Sequence, residues 1–462
     1  MGLGDRVSSL FRRSARRDTS VERDLTRPVS ELFAQGSSRA EAAAATGGLP
    51  RFKATAADQV DRRRSDRFTA MRMKLRNAFT PSQPVSDRQM FAGRTEVLGA
   101  MIGSIEDQRL HLVIYGERGI GKTSLLHMLS EAAREARYIV VYSSCGAASN
   151  FEETFRAAAA DIPLLYHSNF GPNTQEAEAG SSLADLLPDR FSPRQFADLC
   201  VKLTGTRALI ILDEFDRCES SEFRRDLAEL IKFLSDRSVR MQVVIGGVAA
   251  DLAELVEHIP SIRRNILAVR VPLMSEAEIR SLVATGERAS GLTFDPAASD
   301  FIVNVARGWP YIASLLCHHS GLNAIDAGRG TVLPDDVSAA LDESLLELRA
   351  RMAKPIQLQV ERLLADGGGK LLTLIAGASL VGGGDFSGAD IDAASPKSAD
   401  ATAAKRFAEE LSAEKLLLER RDDAYGRRYG FVEDSLPPYL WFLGQQQIHQ
   451  DHLVKTPRVS NG

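Results

Sequence analysis

The stretch LHLVIYGERGIGKTSLLHMLSEAA at residues 110–133 decides the fold of this chain. It opens with a short continuous apolar run, Leu110–Tyr115, which reads as a buried strand. It closes in a helical pattern from Lys122 to Ala136. Between them, GERGIGKT (116–123) matches G-x-x-x-x-G-K-[ST] in the strand–turn–helix setting that gives the pattern its meaning. Gly116, Gly119 and Gly121 let the backbone curl so that its N–H groups point inward at phosphate, with Glu117, Arg118 and Ile120 completing the turn. The helix start, Lys122–Thr123–Ser124, adds about half a positive charge from its dipole. Lys122 can reach the β- and γ-phosphates as a point charge, and Thr123 can place its hydroxyl on Mg²⁺. The motif predicts a phosphate-binding loop for a nucleoside triphosphate, bound with Mg²⁺.

Outward from this motif, strands and helices alternate. RYIVVY (137–142), ALIIL (208–212), MQVVI (241–245) and Ile266–Val271 read as further strands. Phe151–Ala160, Phe196–Leu203 and Glu222–Leu234 read as helices between them. Continuous apolar strands alternating with helices predict an α/β core, a parallel sheet covered on both faces, over residues 88–273. YHSNFGPNTQEAEAGSSLAD (166–185) is long for a loop and reads as an insertion. The third strand runs into ALIILDEFD (208–216). Asp213 at that strand tip can hold the Mg²⁺ shell, and Glu214 can polarise an attacking water. An N-cap role is the plainer reading of such acids, and Asp216 is placed to cap the next helix.

After Pro272 the strands stop. Ser275–Ala289, Pro296–Ala306, Pro310–His319 and Pro334–Arg349 predict a helical lid over 274–352. Residues 353–450 read as a winged-helix-like unit. Helical stretches at 356–365, 369–380, 386–394 and 402–413 precede two strands, Lys415–Arg421 and Arg428–Glu433, around DDAYG (422–426). YLWFLGQQQIHQ (439–450) reads as a closing helix with Trp441 and Phe442 packed inward. Residues 451–462 read as a disordered tail.

The chain has 462 residues, of which 44% are hydrophobic and 26% charged, enough for soluble cores. No apolar run approaches the ~18–20 residues of a membrane helix, and the first residues lack a secretory or myristoylation pattern. These features predict a cytoplasmic protein. Cys145, Cys200, Cys218 and Cys317 are scattered without a CxxC pair, which argues against a zinc site or disulfide framework. The net charge of −4 conceals an asymmetry: residues 1–80 hold 17 Lys/Arg against 9 Asp/Glu. Residues 1–87 read as a basic, largely disordered tail and linker, with a candidate amphipathic helix at Asp66–Phe79 and a linker PSQPVSD at 81–87. Such a tail either only solvates the chain or touches nucleic acid, an acidic partner or a membrane surface.

FAGR (91–94), IYGERGIGKTSLL (114–126), LIILDEFD (209–216) and PSIRRN (260–265) together resemble the AAA+ ATPases, in the branch of origin-recognition initiators and STAND signalling ATPases. The resemblance covers about residues 88–320. It implies ATP, rather than GTP, as the nucleotide, and Phe91, Ala92 and Arg94 near the adenine. It also implies an arginine finger at Arg263 or Arg264 that enters a neighbouring subunit's site. GWP (308–310) is similar to a lid element of STAND proteins, which makes Pro310 a lid contact to the nucleotide and Arg307 either a phosphate contact or a helix-end cap. The chain departs from the family at the fourth strand, whose tip is Gly246–Gly247 where a polar sensor usually stands; slow hydrolysis is the expectation. Two functions follow. One is a DNA-associated ATPase that contacts double-stranded DNA through the tail or winged helix. The other is a nucleotide-dependent signalling or defence switch that recruits protein partners. The winged-helix segment is mixed in charge, with Lys405 and Arg406 against Glu409 and Glu410, and its role as a DNA reader or as a packing unit stays open.

Overall fold

The computed structural model describes residues 67–81, 83–116, 119–168, 180–237, 239–247, 260–382, 384–395, 397–421, 426–433 and 435–455. The tail before residue 67, most of the expected insertion, the DDAYG turn up to Tyr425 and the last residues therefore lie outside the described part of the chain.

Five strands form one parallel sheet in the order β2-β3-β4-β1-β5, with β1 His111–Tyr115, β2 Ile139–Ser144, β3 Ala208–Asp213, β4 Met241–Gly247 and β5 Ile266–Arg270. Its strands are largely apolar because both faces are covered, and alternate side chains go to opposite cores. Leu112, Ile114, Leu209, Ile211 and Val244 pack with residues of α2 (Thr95–Glu106) and α3 (Lys122–Glu135). Val113, Ile210, Leu212, Val243 and Ile245 pack with α4 (Phe151–Ala160), α5 (Pro193–Cys200) and α6 (Ser221–Asp236). His111 is a polar exception. It is buried at the start of β1, where its Nδ1 accepts the Val243 N–H at 3.0 Å.

The helices beyond β5 are α7 (Glu276–Ser290), α8 (Pro296–Ala306), α9 (Pro310–Asp326) and α10 (Pro334–Arg351). Their starts are written in the sequence: Ser275 and Glu278 form a capping box, and Pro296, Pro310 and Pro334 occupy first turns. Two short strands, β6 (Thr293–Phe294) and β7 (Thr331–Val332), pair in parallel among these helices, where only helices were expected. The C-terminal unit begins with α11 (Lys354–Ala365) and α12 (Gly369–Gly382). Then come β8 (Phe386–Ser387), α13 (Gly388–Ala394), α14 (Ser398–Ala413), β9 (Leu418–Arg420) and β10 (Arg428–Phe431). The antiparallel order β8-β10-β9 gives the element order of a winged helix. Phe386 and Ser387 pair with β10 rather than beginning a helix, because Ser387 is the N-cap of α13. The last helix, α15 (Leu436–Lys455), follows.

The lid helices and the C-terminal unit share one continuous hydrophobic core, separate from the two cores of the sheet. Two tryptophans stitch it. Trp309 donates its indole N–H to the Leu380 carbonyl at 2.9 Å, and Trp441 donates to the Val305 carbonyl at 2.8 Å.

The N-terminal segment bears out the candidate amphipathic helix at Asp66–Phe79 and corrects the alternative of a solvated tail. Arg67–Ala78 forms a helix, α1, whose Met71 and Leu75 are buried in the lid core together with Phe79. Glycines make the sockets: a Cβ at Gly286 would stand 1.9 Å from Phe79 Cζ, and one at Gly321 would stand 2.7 Å from Leu75 Cδ1. His318 Nδ1 lies 3.0 Å from the Phe79 carbonyl, and Arg72 pairs with Asp326. The expected linker is likewise packed, with the Val85 N–H donating to Ser124 Oγ at 3.0 Å.

Two outcomes follow from these contacts. Gly286→Ala should lower stability by about 1–3 kcal/mol, the usual cost of overpacking, and should expose residues 67–80 to protease; unchanged melting and protection would refute the docking. His111 has its pKa pushed down to about 4 by burial, from an ordinary 6.5. The unfolded chain therefore takes up this proton first, so the contribution of neutral His111 is full above about pH 6.5 and is lost as the pH falls towards 4. His111→Gln should remove about 2 kcal/mol of the stability difference between pH 7 and pH 5, as read by urea melts at both values.

Candidate nucleotide site

The carboxyl ends of the strands, the start of α3 and the first turn of α9 enclose a cavity of about 550 Å³. In open parallel sheets this end of the strands is where ligands bind. Lys122, Thr123, Ser124, Gly119 and Gly121 line it from the loop, Asp213 and Glu214 from β3, Phe91, Ala92 and Arg94 from the segment before α2, and Pro310 from the lid. These residues, scattered over about half the sequence, are brought to one place.

The loop is shaped as its glycines demand. Gly116, Gly119 and Gly121 have φ of 148°, 75° and 93°, values that side-chain-bearing residues rarely adopt. Each also meets a neighbour closely: a Cβ would stand 3.2 Å from the Val271 carbonyl at Gly116, 3.3 Å from Tyr311 Cβ at Gly119 and 3.0 Å from Arg94 Nη1 at Gly121. Lys122 folds back to donate to the Gly116 carbonyl at 2.6 Å. Ile120 turns its side chain into the core, so it can serve the loop only through its backbone. Glu117 and Arg118 lie outside the described residues.

Asp213 is buried at the tip of β3. Its Oδ1 accepts the Glu214 N–H at 2.8 Å and its Oδ2 accepts the Tyr142 hydroxyl at 2.6 Å. Glu214 has a φ of 53°, left-handed without being glycine; strain of this kind gathers at functional sites. Its Oε2 accepts from Ser144 Oγ at 3.0 Å and from Arg217 Nη1 at 2.8 Å. On β4, the glycine at the expected sensor position has a packing reason. A Cβ at Gly246 would stand 2.7 Å from Leu126 Cδ1 and 2.8 Å from Asp213 Oδ1.

Arg94 is the most confined cation of the cavity. Its N–H donates to Glu278 Oε1 at 2.6 Å and its Nη2 to the Pro272 carbonyl at 2.9 Å, while its Nε is buried without a partner. Desolvation pushes its pKa down to about 10, against the opposing pull of Glu278. Of the two readings of Arg307, the structure shows the helix-end cap. It caps α8 in a left-handed conformation at φ 44°, and its guanidinium lies 4.6 Å over the Trp441 ring instead of lining the cavity. Arg263 and Arg264 also stand away from the cavity. They are exposed on the 3-10 turn Pro260–Asn265 that leads into edge strand β5, anchored by buried Ile262.

Several lining residues escaped the sequence reading: Thr80, Pro81, Gln83, Pro84, Val85, His127, Tyr142, Ser144, Arg217 and Tyr311. A positional signal existed for some of them. Tyr142 and Ser144 end the strand beside β3, and Arg217 stands three residues after Glu214.

Fold and site together define a P-loop NTPase with a helical lid and a C-terminal winged-helix-like unit. The family model described as Novel STAND NTPase 1 matches residues 78–319, more than half of the chain, and the chain belongs to that family. No curated protein matches it. Among solved structures, Cdc6p from Pyrobaculum aerophilum is similar at 15% identity and a TM-score of 0.41, covering 81% of this chain and 98% of that one. The ORC2 protein of Aeropyrum pernix, solved as ADPNP-ADP complexes, is similar at 18% identity and a TM-score of 0.43, with coverage of 81% and 98%. A RuvB of Thermotoga maritima is similar at 15% identity and a TM-score of 0.38, with coverage of 79% and 97%. No helix among the described residues is long and apolar enough to cross a membrane.

The crowding at the tip of β4 gives a direct test. Gly246→Ala should cost about 1–3 kcal/mol in a chemical melt, since Leu126 or the Asp213 carboxylate must move. A variant as stable as wild type would mean that this contact is slack.

Proposed function

We propose that this protein is an ATP-binding switch whose slow hydrolysis sets how long the lid and C-terminal unit hold one arrangement, acting through protein partners. The observation that carries the reading is the state of Glu214. The residue best placed to orient a water has one carboxylate oxygen held by both Ser144 and Arg217 inside the cavity.

The donor set fits Mg²⁺ and ATP. Left-handed glycines open the loop backbone, Lys122 brings a cation, Thr123 and Asp213 supply oxygen ligands, and the unpartnered Nε of Arg94 offers a buried donor. Bound Mg²⁺ would supply charge neutralisation at the phosphates. In this reading Lys122 and the loop N–H groups hold the phosphates, while Thr123 and Asp213 hold the cation. Phe91, Ala92 and Arg94 flank the rest of the nucleotide, and Pro310 and Tyr311 carry its presence to the lid. Glu214 turns over ATP only when its clamp opens. Arg263 or Arg264 of a second copy would complete the site on self-association, a role that their exposure permits.

The charge pattern of the C-terminal unit favours protein partners over DNA. Lys405 pairs with Asp392 at 2.6 Å, Arg406 with Glu410 at 3.2 Å, Arg421 with Asp385 at 2.9 Å, and Arg427 with Glu409. A DNA-reading surface needs cations available to phosphate. The DNA-associated reading keeps one specific support, the excess of Lys and Arg in residues 1–80. A cytoplasmic location suits either reading.

Turnover by wild type, Lys122→Ala, Glu214→Gln and Arg217→Ala, each with and without double-stranded DNA, separates these views. The switch reading expects slow wild-type turnover, no nucleotide binding in Lys122→Ala, binding without turnover in Glu214→Gln, and several-fold faster turnover in Arg217→Ala. Arg217→Ala as inactive as Glu214→Gln would overturn the clamp. Strong stimulation by DNA would move the assignment to the DNA-associated class.

A further inference from the structure

We propose that Tyr142 is a positioning residue for the divalent cation: its hydroxyl, from β2, fixes the Asp213 carboxylate in the orientation that the cation shell requires. The inference rests on the nucleotide reading above and deepens it, because it names a residue of this site that no motif assigns.

The argument starts from what Asp213 has around it. The carboxylate is only 3% exposed at the end of a strand whose other residues are wholly apolar. A buried carboxylate needs donors, and two sides are available. On the β4 side, Gly246 brings no polar group and a Cβ there would collide with Asp213 Oδ1. Oδ1 is instead occupied by the Glu214 N–H. On the β2 side, Tyr142 reaches across the Tyr142–Ile211 pairing and donates to Oδ2 at 2.6 Å. One donor on each oxygen sets the plane of the carboxylate and leaves lone pairs on both for the cation's water shell.

The tyrosine is itself held. His127, one turn beyond Thr123 on α3, packs edge-on against its ring at 5.0 Å, and both residues line the cavity. The ligand-bearing helix therefore braces the residue that aims the other ligand. A tyrosine hydroxyl, which ordinarily ionises at about pH 10, is a donor at neutral pH. Outer-shell partners of this kind commonly change metal affinity by about 10–100-fold when removed.

Tyr142→Phe deletes one oxygen and keeps the ring. Binding of a fluorescent ATP analogue to the full chain is titrated in EDTA and then against Mg²⁺, with thermal melting as the check on folding. The expected result is unchanged binding in EDTA and a Mg²⁺ half-saturation raised about ten-fold or more. A purely structural tyrosine would shift the melting point and leave the Mg²⁺ titration where it was. A Mg²⁺ titration superimposable on wild type overturns the inference and leaves the nucleotide reading standing. A wild type that binds no analogue under either condition overturns both.

Discussion

The organisation of this molecule depends on a loop with three positions that cannot carry side chains. Gly116, Gly119 and Gly121 adopt left-handed backbone, and each faces a neighbour that leaves little or no space for a methyl group: the carbonyl after β5, the lid tyrosine Tyr311, and the guanidinium of Arg94. The sheet and the lid thus meet across bare backbone. In the function proposed above, a nucleotide seated in this loop touches both at once, so that its presence alters the fit between them. The first turn of α9, begun by Pro310, accordingly belongs to the cavity wall.

Electrostatics follow the same geometry. The acids stand at the strand tips, where the sheet ends and water begins, and nearby polar or cationic groups restrain them. Tyr142 and a backbone N–H share Asp213, Ser144 and Arg217 share Glu214, and Glu278 partners the backbone of Arg94. Left-handed backbone at Arg94 and Glu214 marks the places where the chain turns sharply to achieve this. These contacts give the acids defined partners before any ligand enters.

Much of this could be read from residues close together in the chain. The apolar runs of β1, β3 and β4 end in glycine or acid, and the motif between β1 and α3 has one spacing. Pairing partners distant in sequence were hidden. Arg307 looked like a phosphate ligand because its neighbours are Gly308 and Pro310, but its ring partner is Trp441, on the final helix. Phe68, Met71, Leu75 and Phe79 gave a candidate amphipathic helix without a partner, because the glycine sockets that receive Leu75 and Phe79 lie in α7 and α9. Gly246 read as a missing polar group, when its absent side chain is what gives Asp213 and Leu126 their space. In each case the local pattern was correct, and the deciding contact came from a different part of the chain.

The shared core of lid and C-terminal unit bears on how such chains can be recombined. A winged-helix-like unit joined by an exposed linker could be exchanged or deleted as an independent module. Here Trp309 reaches out to Leu380 and Trp441 reaches back to Val305, and apolar side chains run unbroken between the two units. Cutting the chain after α10 would strip the lid of part of its own interior. Any exchange of parts between such chains therefore has to move lid and C-terminal unit together, as one piece.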